Sequence, residues 1–278
     1  MEHVKPMEIG LVVWAEATAD DTLKQVADFG LRVIQLGVPP SLDCAATVQD
    51  WKTALAASSI VVTAAVCSYE GEDYSDLASV HESVGFTTER YRAERIVRTK
   101  EVSGFARELG VGAVSCHIGF IPADTSEPLY TELVNLTRVL CDATAANDQN
   151  FVLETGQESA EILLGFLADV GRPNLKVNFD PANMILYGSG DPLQALALLQ
   201  AHVLSVHCKD GRSPVAGSGM LGQECALGDG EVDFPGFLGL LKQINYSGAL
   251  TIEREEPNRA QKVTDIHTAI ERLKQWKE

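Results

Sequence analysis

The sequence predicts an α/β fold, a (β/α)8 TIM barrel that forms a single domain over residues 1–278. Eight short apolar runs alternate with longer helical stretches along the chain. The runs are nearly continuous in hydrophobicity, as parallel strands are when both faces of the sheet are covered. The length of 278 residues is close to the roughly 250 residues that are usual for one such barrel.

Each apolar run is short and rich in Val, Ile, Leu or Ala, as expected of a buried strand. In chain order the runs are residues 9–14, 33–37, 60–66, 113–119, 151–154, 175–180, 203–208 and 249–253. Parallel strands with right-handed crossovers form either an open doubly wound sheet or a closed barrel. The sequence VVWAEATAD follows the first run instead of a G-x-G-x-x-G nucleotide fingerprint. Eight near-even units therefore favour the barrel.

Helical periodicity marks most of the segments between these strands. The predicted helices are residues 20–29, 89–109, 127–146, 159–170, 191–201, 233–243 and 258–277. Asp191 before Pro192, and Asp233, are typical of helix N-terminal caps. Gly30 and Gly110 lie where a helix end needs a left-handed residue.

Two stretches are predicted to be long loops over the mouth of the barrel. They are residues 68–88, after the third strand, and residues 211–232, after the seventh strand, which are rich in glycine. Long insertions of this kind often serve as lids over a functional site. No Pro, Gly and Ser linker is long enough to divide the chain into domains.

The composition narrows the class of partner. With 22 Lys and Arg against 39 Asp and Glu, the formal charge is −17, which disfavours nucleic acid. The six cysteines are scattered without a C-x-x-C pair, as expected of free thiols in a reducing compartment. Neither a signal peptide nor an apolar run of about 18 residues is evident, so no membrane is expected and a cytoplasmic location is the default.

The last four predicted strands each end in a side chain that binds metals. These residues are Glu154, Asp180, His207 and Glu253. In barrels of this class the active site lies at the carboxyl ends of the strands. A lone charge at that depth is costly unless it is paired or bound to a metal. The pattern therefore predicts one shared metal ion.

Three carboxylates and one imidazole form a mainly oxygen site. Such a site favours Mn²⁺ or Mg²⁺, while Co²⁺ and Zn²⁺ are also accepted. Four protein ligands leave about two positions of an octahedron for neighbouring substrate oxygens, such as those of a hydroxy-ketone.

The segments LETG, NFDPAN, VHCKDG, ALGDGEVDF and ALTIERE resemble the xylose isomerase-like superfamily of TIM barrels. More specifically, they resemble its sugar phosphate isomerase/epimerase group, which includes D-tagatose 3-epimerase-like and hydroxypyruvate isomerase-like enzymes. The resemblance runs from the first strand to the eighth and is strongest over residues 113–255.

The resemblance implies a metal-dependent isomerase or epimerase that acts on a sugar or sugar phosphate. It places the metal on Glu154, Asp180, His207 and Glu253. It also makes Glu154 and Glu253 the acid/base pair, which moves the proton next to a carbonyl through a metal-stabilised enediolate. Relatives are often dimers or tetramers, so a homodimer or homotetramer is expected.

Six further residues are predicted to contact the substrate, Asn183 and His117 through the resemblance and the others by their positions at or soon after strand ends. They are Trp14, Cys67, His117, Asn183, Lys209 and Arg212. Arg212 suits a phosphate or carboxylate, because a guanidinium binds such groups with two hydrogen bonds. Asn183 stands where ketose 3-epimerases often have a histidine, which argues against a free ketohexose as the substrate.

Three alternatives stay open or are disfavoured at this point. A metal-dependent dehydratase or lyase acting on a cyclitol or a hydroxy-keto acid, like inosose or dehydroshikimate dehydratases, shares the first proton abstraction. A non-catalytic sugar-binding barrel has no need for two glutamates beside a metal. An endonuclease IV-type enzyme needs three metals and more histidines, and the charge of −17 disfavours DNA.

Overall fold

Eight parallel strands close into a barrel in this computed structural model, which describes residues 4–277. The strands in chain order are β1 (Ile9–Trp14), β2 (Val33–Val38), β3 (Val61–Cys67), β4 (Ala113–Cys116), β5 (Asn150–Glu154), β6 (Leu175–Phe179), β7 (Val203–Cys208), β8 (Asp210–Arg212), β9 (Gln223–Cys225) and β10 (Leu250–Ile252). β8 and β9 form a separate antiparallel pair, and the other eight form the barrel. Residues 1–3 and 278, the ends of the predicted domain, lie outside the described residues.

The barrel follows the chain order that the sequence predicts. Each barrel strand pairs in parallel with its neighbours in sequence, and β1 closes the ring by pairing with β10, where Ile9 lies opposite Leu250. β4 ends at Cys116, three residues before the predicted end, and β10 ends at Ile252. Glu253 therefore lies just beyond its strand, where its backbone N–H donates to the carbonyl of Cys208 at 3.2 Å. The predicted (β/α)8 fold is confirmed.

Helices cover the outside of the barrel. They are α1 (Asp20–Asp28), α2 (Cys44–Ala57), α3 (Leu77–Ser83), α4 (Glu89–Glu108), α5 (Pro128–Ala145), α6 (Ala160–Val170), α7 (Pro181–Tyr187), α8 (Pro192–Leu199), α9 (Phe234–Gln243) and α10 (Arg259–Trp276). Asp191 and Asp233 cap α8 and α9, with their side chains accepting from Gln194 N–H at 2.8 Å and Gly236 N–H at 3.0 Å.

Three of these helices are absent from the sequence prediction. α2 is alanine-rich and buries mainly Thr47 and Trp51, so its apolar stripe is narrow. Its start is fixed by Asp43, whose side chain accepts from Ala46 N–H at 2.9 Å. α3 and α7 have seven residues each, which is too short for a clear helical period.

The two predicted loops over the mouth contain short ordered elements and touch each other. Residues 68–88 include α3, and residues 211–232 include most of the β8–β9 hairpin. The backbone N–H of Leu77 donates to the carbonyl of Gly219 at 3.2 Å, which joins the two loops. Gly222 N–H donates to the carbonyl of Leu186 at 2.8 Å, which ties the hairpin to α7. The loops therefore form a roof over part of the mouth.

The main core lies between the strands and the surrounding helices. Its largest fully buried side chains include Trp51, Phe151, Phe166, Phe179 and Phe237. All six cysteines are free thiols, and four of them are buried. Across residues 4–277, no helix combines the length and apolar character that crossing a membrane requires.

Candidate active site

Four side chains from adjacent strands meet at the carboxyl end of the barrel. Glu154, Asp180, His207 and Glu253 each bring one donor atom within 4.8 Å of the others. Nδ1 of His207 lies 3.3 Å from Glu154 Oε1, 3.5 Å from Asp180 Oδ2 and 3.3 Å from Glu253 Oε2. The structure thus brings together the four residues that the sequence analysis grouped.

Asp180 is held by the first turn of the short helix α7. Its Oδ1 accepts from the backbone N–H groups of Ala182 at 2.8 Å and Asn183 at 3.0 Å. Pro181 is the first residue of α7. At this position no intrahelical hydrogen bond needs a backbone N–H, and the fixed φ of proline suits the helix. The cap therefore fixes one carboxylate oxygen and leaves Oδ2 facing the cluster.

His207 is held by polar side chains inside the barrel. Its Nε2 lies 2.9 Å from Oε1 of Gln35, on β2 across the barrel. Gln35 Nε2 donates to Oδ1 of Asn178, which also accepts from Ser205 Oγ at 2.6 Å. These contacts orient Gln35 with its oxygen toward the imidazole. Nε2 of His207 thus faces the side chains of Gln35 and Asn178, and Nδ1 faces the three carboxylates.

The two glutamates are held differently. Glu154 is 3% exposed, and its Oε1 accepts from Asn183 Nδ2 at 3.0 Å. Glu253 borders the open side of the mouth, where its Oε2 accepts from Nζ of Lys209 at 3.0 Å. Although burial opposes ionisation, the charges of Lys209 and His207 hold the pKa of Glu253 well below its ordinary value. Glu253 is therefore a carboxylate at neutral pH.

The cluster suits a divalent cation. Asp180 Oδ2 and His207 Nδ1 are buried, and neither has a hydrogen-bond partner within residues 4–277. Buried polar atoms rarely stay unpartnered, because each one costs about 1–3 kcal/mol. Although burial alone would lower it, Glu154 and Glu253 hold the pKa of His207 well above its ordinary value. The cluster therefore attracts positive charge, and its donors match those that bind Mn²⁺ or Mg²⁺.

A cavity of about 410 Å³ opens beside the cluster, and five of the six predicted substrate residues line it. They are Trp14, Cys67, His117, Asn183 and Lys209. His117 follows β4 directly, with its Nε2 3.7 Å from Glu154 Oε1. Burial raises the pKa of the Cys67 thiol to about 12, so this residue stays uncharged at neutral pH.

Arg212 lies outside this set. It is exposed on β8, and its guanidinium donates to the carbonyl of Asp229 at 2.9 Å. The sequence predicts a substrate contact for Arg212, because a guanidinium suits a phosphate or carboxylate group. The hairpin instead turns its side chain toward the outer loop.

Several residues of the site escaped the sequence analysis. Gln35 and Asn178 are completely buried inside the barrel, and each was visible only as one polar residue within an apolar run. Glu72 and Tyr74 reach the cavity from the loop after β3, and Tyr187 reaches it from α7. Their positions depend on loop paths that no local sequence pattern reveals.

Comparisons with known proteins agree with this fold. The sequence profile of the xylose isomerase-like TIM-barrel family matches residues 23–276. The chain is similar to a solved xylose isomerase domain protein from Planctomyces limnophilus, with 40% identity, a TM-score of 0.92, and coverage of 98% of this chain and 97% of that one. It shares its fold with the D-allulose 3-epimerase of Methylomonas sp., solved in complex with D-allulose, at 20% identity and a TM-score of 0.71 over 99% of both chains.

A curated relative matches over a shorter region. The L-ribulose 3-epimerase of Methylomonas sp. (strain DH-1) is 29% identical over 157 residues, which are 51% of this chain and 48% of that protein. The match thus spans about half the length of that relative. The family profile, in contrast, covers nearly all of this chain. The chain therefore belongs to the xylose isomerase-like TIM-barrel family.

Proposed function

We propose that this protein is a divalent-metal-dependent isomerase or epimerase that moves a proton on the carbon next to a carbonyl in a small carbohydrate-like substrate. The observation that carries the proposal is the meeting of four donor atoms within 4.8 Å at the floor of a cavity. The matches to proteins named as 3-epimerases support the same class of reaction.

Glu154, Asp180, His207 and Glu253 would hold one divalent ion, with Mn²⁺ or Mg²⁺ favoured by the oxygen-rich donors. Bound there, the ion would supply positive charge to the substrate oxygens as negative charge develops on them. Gln35 and Asn178 keep the imidazole of His207 in place from behind. Loss of one such supporting contact typically lowers metal affinity or activity by about 10–100-fold.

Glu154 and Glu253 are placed to serve as the acid/base pair. They lie on β5 and just after β10, the outer members of an arc of four strands with β6 and β7 between them. Both side chains line the cavity, so a substrate held between them is exposed to a carboxylate on each side. Removal of a proton by one glutamate and its return by the other inverts the carbon. Removal and return by a single glutamate, at neighbouring carbons, moves the carbonyl.

The remaining cavity residues would position the substrate. Lys209 and His117 offer polar contacts to hydroxyl or carbonyl oxygens, and Asn183 lies beside Glu154. Trp14 and Cys67 offer apolar contact to the carbon skeleton. The single domain over residues 1–278, the homodimer or homotetramer and the cytoplasmic location stay predictions of the sequence.

The test is solvent isotope exchange. The purified protein is incubated in D₂O with Mn²⁺ and a panel of ketoses, inososes and hydroxy-keto acids, and deuterium at the carbon next to the carbonyl is followed by NMR. We expect uptake that depends on the metal and stops with EDTA. Absence of metal-dependent uptake across the panel, with the ion shown to be bound, would overturn the proposal.

A further inference from the structure

We infer that the substrate of this site is uncharged, a keto-sugar or related polyol that carries neither a phosphate nor a carboxylate group. The inference rests on the proposed function, because it concerns the occupant of the same cavity. Four independent features of the described residues support it: the charges that line the cavity, the pairing of nearby arginines, an internal carboxylate in the loop after β7, and the apolar rim.

Carboxylates dominate the lining of the cavity. Its acidic side chains are Glu72, Glu154, Glu224, Glu253 and Glu255. Against these five, the lining contains one ammonium group, on Lys209, and Arg254 outside the lining pairs with Glu224. Four carboxylates therefore face the one ammonium group. Nζ of Lys209 already lies 3.0 Å from Glu253 Oε2 and 3.2 Å from Glu255 Oε2. An anionic substrate would therefore meet more negative than positive charge, even beside one divalent ion.

The arginines near the mouth are committed elsewhere. Arg254 follows Glu253 directly, but its guanidinium contacts Glu224 at 2.9 Å, Glu256 at 3.1 Å and Asp265 at 2.9 Å. Arg212 bonds to the carbonyl of Asp229. Among the described residues, no arginine lines the cavity. The two-pronged contact by which arginine recognises phosphate and carboxylate groups is thus missing from this site.

The loop after β7 holds an internal anion in a cradle of backbone N–H groups. TIM-barrel enzymes frequently bind phosphate with loops near this end of the barrel. Here the buried carboxylate of Asp210 accepts from the N–H groups of Gly211 at 2.8 Å, Gly228 at 2.8 Å, Gly230 at 3.0 Å and Val232 at 3.1 Å.

The cradle closes tightly around this carboxylate. A Cβ at Gly230 would lie 2.1 Å from Asp210 Oδ1, so the loop is shaped around that side chain. Successive backbone N–H groups of this kind form anion-binding concavities. Because the chain's own carboxylate fills this one, its donors have no capacity left for a substrate phosphate.

The outer rim of the cavity is apolar. Trp14, Tyr74 and Met220 line it while remaining 45%, 41% and 51% exposed, and Leu221 lies beside them. Rings of this kind pack well against the C–H face of a neutral sugar. The apolar rim and the acidic floor together suit an uncharged molecule with many hydroxyl groups, because hydroxyl groups donate hydrogen bonds to carboxylates.

The experiment compares each active ketose with its own terminal phosphate ester in the Mn²⁺-loaded protein. Deuterium uptake gives kcat/KM for both members of the pair. We expect the uncharged member to be preferred by at least about tenfold, since like charges placed together disfavour binding strongly. Equal or faster uptake into the phosphate esters would overturn the inference while leaving the proposed function intact.

Binding is measured separately, so that the inference is tested even without turnover. Titration calorimetry with the same pairs should show tighter binding of the uncharged member. If neither member exchanges deuterium, the proposed function fails and this comparison of Kd decides the inference alone. Tighter binding of the phosphate ester would refute it.

A matched pair of variants tests whether the carboxylates of the cavity lining cause the preference for the uncharged substrate. Glu255→Gln removes one carboxylate from the cavity lining and should reduce the preference against the phosphate ester. Glu231→Gln removes a carboxylate from the same roof, where it bonds to Ser213 outside the lining, and should leave the preference unchanged. Added salt should improve kcat/KM for the ester alone, because it screens the repulsion. Equal responses of the two variants would contradict the assignment.

Discussion

The two halves of the barrel mouth differ in what their strands carry at the carboxyl end. β5, β6, β7 and β10 each end within one residue of a metal-site side chain, which is Glu154, Asp180, His207 and Glu253 in turn. β1 to β4 end instead at Trp14, Val38, Cys67 and Cys116. We call these the charged half and the neutral half, after the residues at their strand ends. Trp14 and Cys67 of the neutral half line the cavity, together with Glu72 and His117 from the segments that follow β3 and β4.

The halves are linked through the barrel interior. Gln35 belongs to β2, on the neutral half, and its carboxamide oxygen lies 2.9 Å from Nε2 of His207. The neutral half therefore contributes to the geometry of the charged half without contributing a ligand. We therefore expect the charged half to bind the ion and transfer the proton, and the neutral half to position the substrate.

The largest effect should come from the two glutamates of the charged half. Glu154→Gln and Glu253→Gln each remove a metal ligand and a proton carrier, so deuterium exchange should fall by at least about 100-fold. Circular dichroism should show an unchanged fold. Glu132→Gln, on the exposed surface of α5, is the control and should keep full activity. Full activity in both site variants would make the acid/base assignment wrong.

The next largest effect concerns the stability of the charged half and depends on Glu158. Burial raises the pKa of Glu158 to about 8, and neither of its carboxylate oxygens has a hydrogen-bond partner within residues 4–277. The pKa of Glu158 in the folded protein is above the ordinary value of 4.5. Its protonated side chain therefore makes its full contribution to the free energy of unfolding only below about pH 4.5, and this contribution is lost as the pH rises toward 8.

Glu158→Gln should therefore remove most of this pH dependence. We expect the variant to gain up to about 3 kcal/mol over the wild type in unfolding free energy near neutral pH, and little near pH 5. Urea unfolding at a series of pH values measures this difference. Glu161→Gln, on the exposed first turn of α6, is the control. A constant difference between the variant and the wild type across the pH series would contradict the assignment.

The link between the halves is broken by Gln35→Leu. Without the carboxamide of Gln35, the imidazole of His207 loses a contact that holds its Nδ1 toward the carboxylates. We expect Mn²⁺ affinity to fall by about 10–100-fold, which titration calorimetry would show. Gln49→Leu, an exposed change on α2, should leave the affinity unchanged. An unaltered Kd in Gln35→Leu would mean that the two halves are independent.

The smallest effect should come from Trp14, at the end of β1 on the neutral half. Trp14 packs its ring over Gly37, where an added Cβ would lie 2.6 Å from the indole. Trp14→Ala should raise KM by about fivefold, as expected for loss of one aromatic contact, with kcat nearly unchanged. Val97→Ala, an exposed apolar change on α4, is the matched control. A fall in kcat at constant KM would mean that Trp14 contributes to the reaction step and not to substrate binding.

The comparison also explains what the sequence predicts well. The metal-site group could be predicted because each member ends an apolar run, and parallel strands bring such ends together at one edge. The barrel itself followed from eight such runs. α2 was missed because its many alanines give little contrast between its faces.

The rest of the site depends on contacts between distant segments. Gln35 and His207 are 172 residues apart, and only barrel closure brings them together. The turning of Arg212 toward Asp229 depends on the β8–β9 hairpin, which has no strong local pattern. The cradle around Asp210 likewise requires the folded loop. Sequence patterns therefore located the ligands but not the residues that support or surround them.

The proposed reaction depends on one divalent ion bound among Glu154, Asp180, His207 and Glu253. The most direct test is anomalous scattering from crystals soaked in Mn²⁺. We expect one strong anomalous peak per chain within coordination distance of all four side chains, and we expect it to disappear in Asp180→Asn crystals. A Mn²⁺ peak elsewhere in a protein with metal-dependent activity, with none among these four residues, would contradict it.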